Sequence, residues 1–146
     1  MLSPLSGPVR DVVLLVARVL LGVVLFAHGF QKVFIYGFGG VTASFTKMGV
    51  PVPPVSAVYA SIVELVGGGL LILGAATTIV SVLVAVDMIG ASLTTGSFLH
   101  GVFVGQHGFE LEAAICVGAL LLLVSGAGRY SIDHVLLARR RAPVTT

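Results

Sequence analysis

The chain has 146 residues, of which 57% are hydrophobic and only 10% are charged. A soluble domain carries about 25% charged residues, so this chain lacks the polar side chains needed to cover itself in water. The composition therefore predicts a single-domain integral membrane protein. The net charge of +2 is small, and the one basic run, 139–141, is more typical of the end of a membrane span than of a nucleic-acid site, so we expect no nucleic acid.

Four apolar segments follow one another along the chain, each near the roughly 20 residues that a helix needs to cross a bilayer. They are too long, and alternate too little, to be the strands of a barrel. We therefore predict an all-α membrane protein with four transmembrane helices in an up-down antiparallel bundle. The predicted spans cover 12–36, 55–75, 78–95 and 110–125, and a short amphipathic C-terminal helix covers about 131–138.

Local sequence signals separate the predicted helices. The glycines between Gly37 and Gly40 are predicted to end the first helix, and a threonine of the turn 76–78 is available to cap the third. Ser131 and Asp133 are placed to cap the C-terminal helix.

The basic residues indicate the orientation of the bundle. Arg10 precedes the first span, while Arg129 and the run 139–141 follow the last one. An even number of spans places both ends on one side, and basic residues favour the cytoplasmic side. We therefore expect cytoplasmic N- and C-termini, with the long connections 37–54 and 96–109 facing outward.

Three ionisable residues, Arg18, Glu64 and Asp87, fall inside the predicted spans. An arginine or aspartate at a helix centre costs roughly 2.5–3.5 kcal/mol, and intramembrane ionisable residues usually face the bundle interior and pair with one another. We therefore predict a buried polar cluster with an Arg18–Glu64 ion pair and with Asp87 nearby or protonated. The sequence leaves open whether this cluster serves function or only clamps and orients the helices.

A second polar group lies toward the outer end of the predicted bundle and comprises His28, Lys32, His100, His107 and Glu110. His28 and Lys32 share a helix face, because residues four apart are neighbours. A histidine, a lysine and a carboxylate at a membrane edge can bind and protonate a quinone carbonyl. We therefore predict His28, Lys32 and Glu110 as catalytic residues, and His28, Lys32 and His100 as ligand-binding residues. The alternative interpretation is a solvated helix rim.

The sequence does not favour a metal or a haem. Structural zinc sites commonly use cysteine ligands, and Cys116 is the only cysteine. A haem held by two histidines would need His28 together with His100 or His107, and no histidine pair spans two predicted helices. We predict no metal, haem or flavin, and menaquinone or ubiquinone as the cofactor that would bind.

Several motifs, in their order and spacing, resemble the DoxX family over nearly the whole chain. The matching pieces are Arg18 with HGFQK (28–32), Phe38-Gly39-Gly40 followed by Phe45 and Gly49-x-Pro51, VELVGGGLLILG (63–74), Asp87, His100 followed by Gly108-x-Glu110, and GAGRYSIDH (126–134). The loop 101–107 departs from the family because it is more apolar than the usual segment, which weakens the case for a role of His107.

The resemblance implies a four-helix protein of the bacterial cytoplasmic (inner) membrane. The family is named for a subunit associated with thiosulfate:quinone oxidoreductase, and some relatives are linked to oxidative stress and quinone detoxification. We therefore expect a membrane subunit of a quinone-linked redox or oxidative-stress system, with a quinone or another lipophilic ligand bound in the outer half of the bundle.

Alternatives to this function remain open at the level of the sequence. No flavin, haem or dithiol signature is apparent, so electron transfer would need a partner protein, and whether the chain is itself an enzyme stays open. A non-catalytic scaffold that anchors partner proteins is the main alternative, and a small lipid or solute transporter is supported only by the acids at mid-span. We expect contacts with the lipid bilayer and with partner subunits, and a homo-oligomer is compatible with the sequence.

Overall fold

The computed structural model describes residues 7–103, 105 and 107–141, and these residues form helices joined by short connections. The helices are, in chain order, α1 (Gly7–Phe30), α2 (Gly37–Lys47), α3 (Pro53–Ile62), α4 (Gly68–Leu73), α5 (Thr77–Thr95), α6 (Glu110–Ser125) and α7 (Ile132–Arg141), with a short 3₁₀ turn at Ser97–Leu99. Two π-helical turns, Gln31–Tyr36 and Val63–Gly67, join α1 to α2 and α3 to α4. No strand occurs among the described residues, and the predicted all-α class is confirmed.

The bundle consists of four helical columns: α1, the α3–α4 pair, α5 and α6. Helix α1 packs against α4 and the second π turn, α5 packs against α6, and α6 also contacts α1. The columns therefore close around one apolar core. Its most deeply buried side chains are Leu25, Leu71, Val84, Ala119 and Leu122.

Three helical stretches of the described chain are long and apolar enough to cross a membrane: Gly7–Lys47, Pro53–Leu73 and Thr77–Thr95. Helix α6 runs over the same residues as the predicted fourth span, and its 16 residues cover about 24 Å at 1.5 Å per residue. Large apolar side chains point outward along the bundle, among them Leu20, 62% exposed, and Val124, 89% exposed. Apolar surface of this extent is typical of a protein that contacts lipid.

The first helix, together with its π turn, ends at Tyr36, directly before the glycines that were predicted to end it, but the chain does not continue as a loop. Gly37 adopts φ +66° and ψ +160° after the π turn, a conformation that a residue with a Cβ rarely adopts. A further helix, α2, then begins and packs against α3. The prediction of a loop over 37–54 is therefore wrong in its first part, because apolar residues such as Val41 gain a buried face on the bundle.

The N-terminal cap of α5 comes from a distant part of the chain. Both carboxylate oxygens of Asp133 accept backbone hydrogen bonds, from Ala76 at 2.7 Å and from Thr77 at 2.8 Å. The predicted threonine cap is wrong, because the turn places Ala76 in the cap position. The predicted cap of α7 is made by Ser131 alone, whose hydroxyl accepts a hydrogen bond from the His134 N–H at 3.1 Å.

Glycines allow α1 to approach α4 and the second π turn closely. A Cβ at Gly29 would overlap the backbone nitrogen of Leu65, and a Cβ at Gly68 would overlap the backbone nitrogen of Phe26. Small residues of this kind let the backbones of two membrane helices come into contact. The approach places the C-terminal end of α1 beside the turn Val63–Gly67.

Candidate ligand-binding site

Lys32 and Glu64 form a partly buried ion pair. Lys32 lies in the π turn that follows α1, Glu64 lies in the π turn between α3 and α4, and the Lys32 Nζ is 2.6 Å from Glu64 Oε1. The Glu64 side chain is only 6% exposed and that of Lys32 is 22% exposed. Both members of the pair therefore stand in π-helical turns, a local distortion that is frequent at functional sites.

The predicted Arg18–Glu64 ion pair is wrong. Arg18 is buried, with 1% of its surface exposed, but its Nη2 donates a hydrogen bond to the carbonyl oxygen of Tyr130 at 2.9 Å. The Cα–Cβ bonds of a helix tilt toward its N-terminus. The Arg18 side chain therefore leans away from Glu64, whereas the Lys32 side chain leans back from the end of the helix toward the bundle interior. Lys32 and Arg18 are 14 residues apart, about 21 Å along the helix axis.

Asp87 on α5 completes a set of three ionisable side chains around one cavity. Asp87 is 7% exposed, and its Oδ2 has no hydrogen-bond partner among the described residues, which is also true of Glu64 Oε2. Two members of the predicted buried cluster, Glu64 and Asp87, thus lie together, while the third, Arg18, lies near the opposite end of the bundle, beside Ser131.

These residues border a cavity of about 290 Å³, the Lys32 cavity. Its lining residues are Lys32, Phe45, Val50, Ser56, Tyr59, Ala60, Glu64, Val86, Asp87, Gly90, Ala91, Thr94 and Thr95. A mostly apolar wall with a few convergent polar groups is typical of a small-molecule site.

The wall contributed by α5 could have been found from the sequence. Gly90, Ala91 and Thr94 follow Asp87 at spacings of three, four and seven residues, which defines one helix face. Tyr59 and the wall formed by α2 carry no comparable signal, because they reach the cavity only through the way the helices pack.

The other predicted site residues lie elsewhere. The Nδ1 of His28 donates to the Val24 carbonyl oxygen at 2.8 Å, and the Nδ1 of His100 donates to the Gly96 carbonyl oxygen at 3.0 Å. Glu110 begins α6. The described lining of the Lys32 cavity contains none of His28, His100 and Glu110. The structure therefore brings Lys32 to the mid-span acids and does not bring the other members of the predicted outer group there.

Comparison with known proteins supports the family assignment. The DoxX family profile matches residues 13–97, more than half of the chain and the part that contains Lys32, Glu64 and Asp87. An uncharacterized membrane protein of Mycobacterium tuberculosis is 33% identical over 134 residues, which cover 86% of this chain and 82% of that protein.

Two further relatives extend over similar lengths. The inner membrane protein YphA of Escherichia coli is 29% identical over 132 residues, covering 88% of this chain and 93% of that protein. CatD of Bacillus subtilis, named as a candidate oxidoreductase, is 35% identical over 119 residues, covering 82% of this chain and 83% of that protein. No solved structure matches the chain. The family profile and these long alignments with membrane proteins show that the chain belongs to the DoxX family.

Proposed function

We propose that this protein is a membrane subunit of a bacterial quinone-linked redox or oxidative-stress system, and that it binds the ring of a quinone or a related lipophilic molecule in the Lys32 cavity. The observation that carries the proposal is the buried Lys32–Glu64 pair at the edge of a cavity with apolar walls. The name of the relative CatD as a candidate oxidoreductase agrees with a redox setting.

The cavity matches the size of a ring better than that of a whole isoprenoid quinone. Ligand pockets usually measure about 300–1,000 Å³, and the Lys32 cavity, at about 290 Å³, lies at the small end. A head group would occupy it, and its tail would extend outside among lipid chains. Phe45 and Tyr59 supply aromatic surface for the ring.

Lys32 and the two acids supply complementary chemistry for such a ring. The ammonium of Lys32 can donate a hydrogen bond to a ring oxygen while it stays paired with Glu64. Glu64 and Asp87 can accept or return the protons that accompany two-electron reduction of a quinone. The electrons would come from or go to a partner subunit. The catalytic and binding roles of His28, His100 and Glu110 remain predictions.

We place the protein in the bacterial inner membrane with both termini in the cytoplasm. The proposal is supported by the name of YphA as an inner membrane protein. It also rests on the excess of basic residues where the chain enters α1 and leaves α6, at Arg10, Arg129 and Arg139. We expect partner subunits to bind the faces that the bundle leaves open.

Thermal unfolding of the purified protein with and without a short-chain ubiquinone tests the proposal. A ligand present at 100 times its Kd stabilises a protein by about 2.7 kcal/mol, which corresponds to several degrees in Tm. The variant Gly90→Val puts side-chain atoms into the Lys32 cavity, where a Cβ at position 90 meets no atom within 4 Å. We expect this variant to fold and to lose the ligand-induced rise in Tm.

Glu112→Gln is the matched control, because Glu112 lines a different cavity, between α5 and α6. It should keep the rise in Tm. A wild-type protein that shows no response to the quinone would refute the proposal. If partner proteins then co-purify equally well with wild type and with Lys32→Met, the protein is a scaffold.

A further inference from the structure

Two residues that line the Lys32 cavity, Glu64 and Asp87, each carry a buried carboxyl oxygen that lacks a hydrogen-bond donor. Glu64 Oε2 and Asp87 Oδ2 are buried, and neither has a partner among the described residues. A buried acceptor without a donor destabilises the folded protein, and more so when the group is charged. A ligand that brings donors to these two oxygens would recover that cost.

The hydroxyl groups on the cavity wall do not fill this need. Each one donates its hydrogen to a backbone carbonyl: Ser56 to Pro51, Tyr59 to Leu83, Thr94 to Gly90 and Thr95 to Ala91, at distances of 2.6 to 3.1 Å. A hydroxyl carries one hydrogen, so these groups can only accept further bonds. With Glu64 and Asp87 ionised, the free donor capacity among the described lining residues is that of the Lys32 ammonium.

The charge balance of the cavity also favours a ligand that carries hydrogen-bond donors. Among the described lining residues, Lys32 is the one basic residue and is paired with Glu64 through Oε1, and Asp87 adds a second carboxyl group without a second cation. While both carboxyl groups are ionised, a molecule with two acceptor oxygens and no donor, such as a quinone, can bond only to Lys32. A molecule with two hydroxyl groups could also bond to both carboxyl oxygens.

We infer that the Lys32 cavity selects the reduced, dihydroxy form of an aromatic ring, a hydroquinone or catechol, over the corresponding quinone. One hydroxyl of the ring donates to Glu64 Oε2, the other donates to Asp87 Oδ2, and Phe45 and Tyr59 border the ring. The inference deepens the proposed function and rests on it. It concerns binding, and no redox step is part of it.

Calorimetric titration under anaerobic conditions with durohydroquinone and duroquinone tests the inference. The four methyl groups of these probes prevent addition of Lys32 or Cys116 to the ring. Two additional hydrogen bonds are worth about 1–3 kcal/mol together. We therefore expect durohydroquinone to bind the wild-type protein about tenfold more tightly, or better. Equal or tighter binding of duroquinone would overturn the inference and leave the proposed function in place, whereas binding of neither probe would overturn both.

Asp87→Asn examines the donor argument directly. The amide of asparagine brings N–H donors where the carboxylate had none, so the preference for durohydroquinone should shrink severalfold, through weaker binding of the hydroquinone and tighter binding of the quinone. Glu112→Gln should leave the preference unchanged. An unchanged preference in a folded Asp87→Asn protein would count against the inference.

A cationic ring distinguishes donors from charge alone. Phenyltrimethylammonium carries a positive charge and no N–H or O–H group. If the cavity selects hydrogen-bond donors, this probe should bind more weakly than durohydroquinone. Tighter binding of the cation would identify a cation site and overturn the inference.

Discussion

The ammonium of Lys32 lies 2.6 Å from Glu64 Oε1, and the two residues belong to π-helical turns on neighbouring columns of the bundle. These turns meet because Gly29 allows α1 to approach the backbone of Leu65 without an intervening side chain. The close approach and the ion pair thus form one structural unit. Removal of either charged residue should lower stability by leaving the other charge unpaired. A larger side chain at the helix contact should lower stability by pushing the two backbones apart.

A double-mutant cycle measures the coupling between Lys32 and Glu64. Lys32→Met strands a nearly buried carboxyl group, and Glu64→Leu strands a partly exposed ammonium. Breaking a buried pair costs about 3–5 kcal/mol, so we expect Lys32→Met to lower the Tm in detergent more than Glu64→Leu. The combined variant should be more stable than the sum of the two losses predicts, because no unpaired charge remains.

The cycle with Arg18→Met is the matched control. Arg18 bonds to Tyr130 rather than to Glu64, so its loss and that of Glu64 should add within about 0.5 kcal/mol. Strong coupling in the Arg18 cycle, together with additivity in the Lys32 cycle, would contradict the assignment of the pair.

Substitution of neighbouring glycines in α4 tests the contact between α1 and α4. A Cβ at Gly68 would overlap Phe26 N and lie 2.8 Å from the Gly22 carbonyl oxygen, whereas a Cβ at Gly69 comes no closer than 3.8 Å to the Phe26 ring. Gly68→Ala must push two backbones apart, so we expect it to lower the Tm by several degrees.

Gly69→Ala, the control, should be neutral or slightly stabilising, because alanine favours the helix by about 1 kcal/mol over glycine. Equal Tm values for the two variants would show that α1 and α4 do not make this contact.

Alanine substitutions at Gly74 and Gly96 distinguish the cost of backbone strain from the cost of steric overlap. Both end a helix with positive φ, +69° and +68°. A Cβ at Gly74 would overlap the guanidinium of Arg18, whereas a Cβ at Gly96 meets only a methyl group of Leu99 at 3.9 Å. Gly96→Ala should cost the left-handed strain alone, about 1–2 kcal/mol.

Gly74→Ala should cost clearly more, because the buried arginine must also move. Thermal unfolding of both variants in one detergent gives the comparison. A Gly74→Ala protein as stable as Gly96→Ala would mean that the arginine does not occupy this position.

Asp133 should stabilise the start of α5 although it lies 56 residues away from Thr77 in the chain. Asp133→Ala removes two short hydrogen bonds to backbone N–H groups, and loss of a helix cap typically costs about 0.5–2 kcal/mol. We expect the Tm to fall by a few degrees. Asp11→Ala is the comparison, because Asp11 makes one long bond of 3.4 Å, from the Arg129 N–H, and its loss should have a smaller effect. A larger loss for Asp11→Ala would contradict the cap.

Much of the fold can be predicted from the sequence, because membrane helices are recognisable from their apolar composition and their length. The apolar segments around Val84 and Leu122 can be predicted as helices without knowing which helices pack against them. Helix α2 was missed for a physical reason. A glycine-rich segment stops a helix in isolation, but Val41 and its neighbours become helical when α3 offers them a surface to cover.

The candidate site, like the fold, could be predicted from the sequence only in part. The sequence by itself identified Lys32, Glu64 and Asp87 as candidate site residues. An ionisable group within an apolar span costs free energy in any orientation, so it is rarely present without a role. Only the tertiary structure decided that Glu64 pairs with Lys32 and not with Arg18. A partner depends on the direction in which each side chain leaves its helix, on the rotation of each helix and on the depth set by glycine contacts. These quantities arise when the helices pack, and no single segment of the sequence contains them.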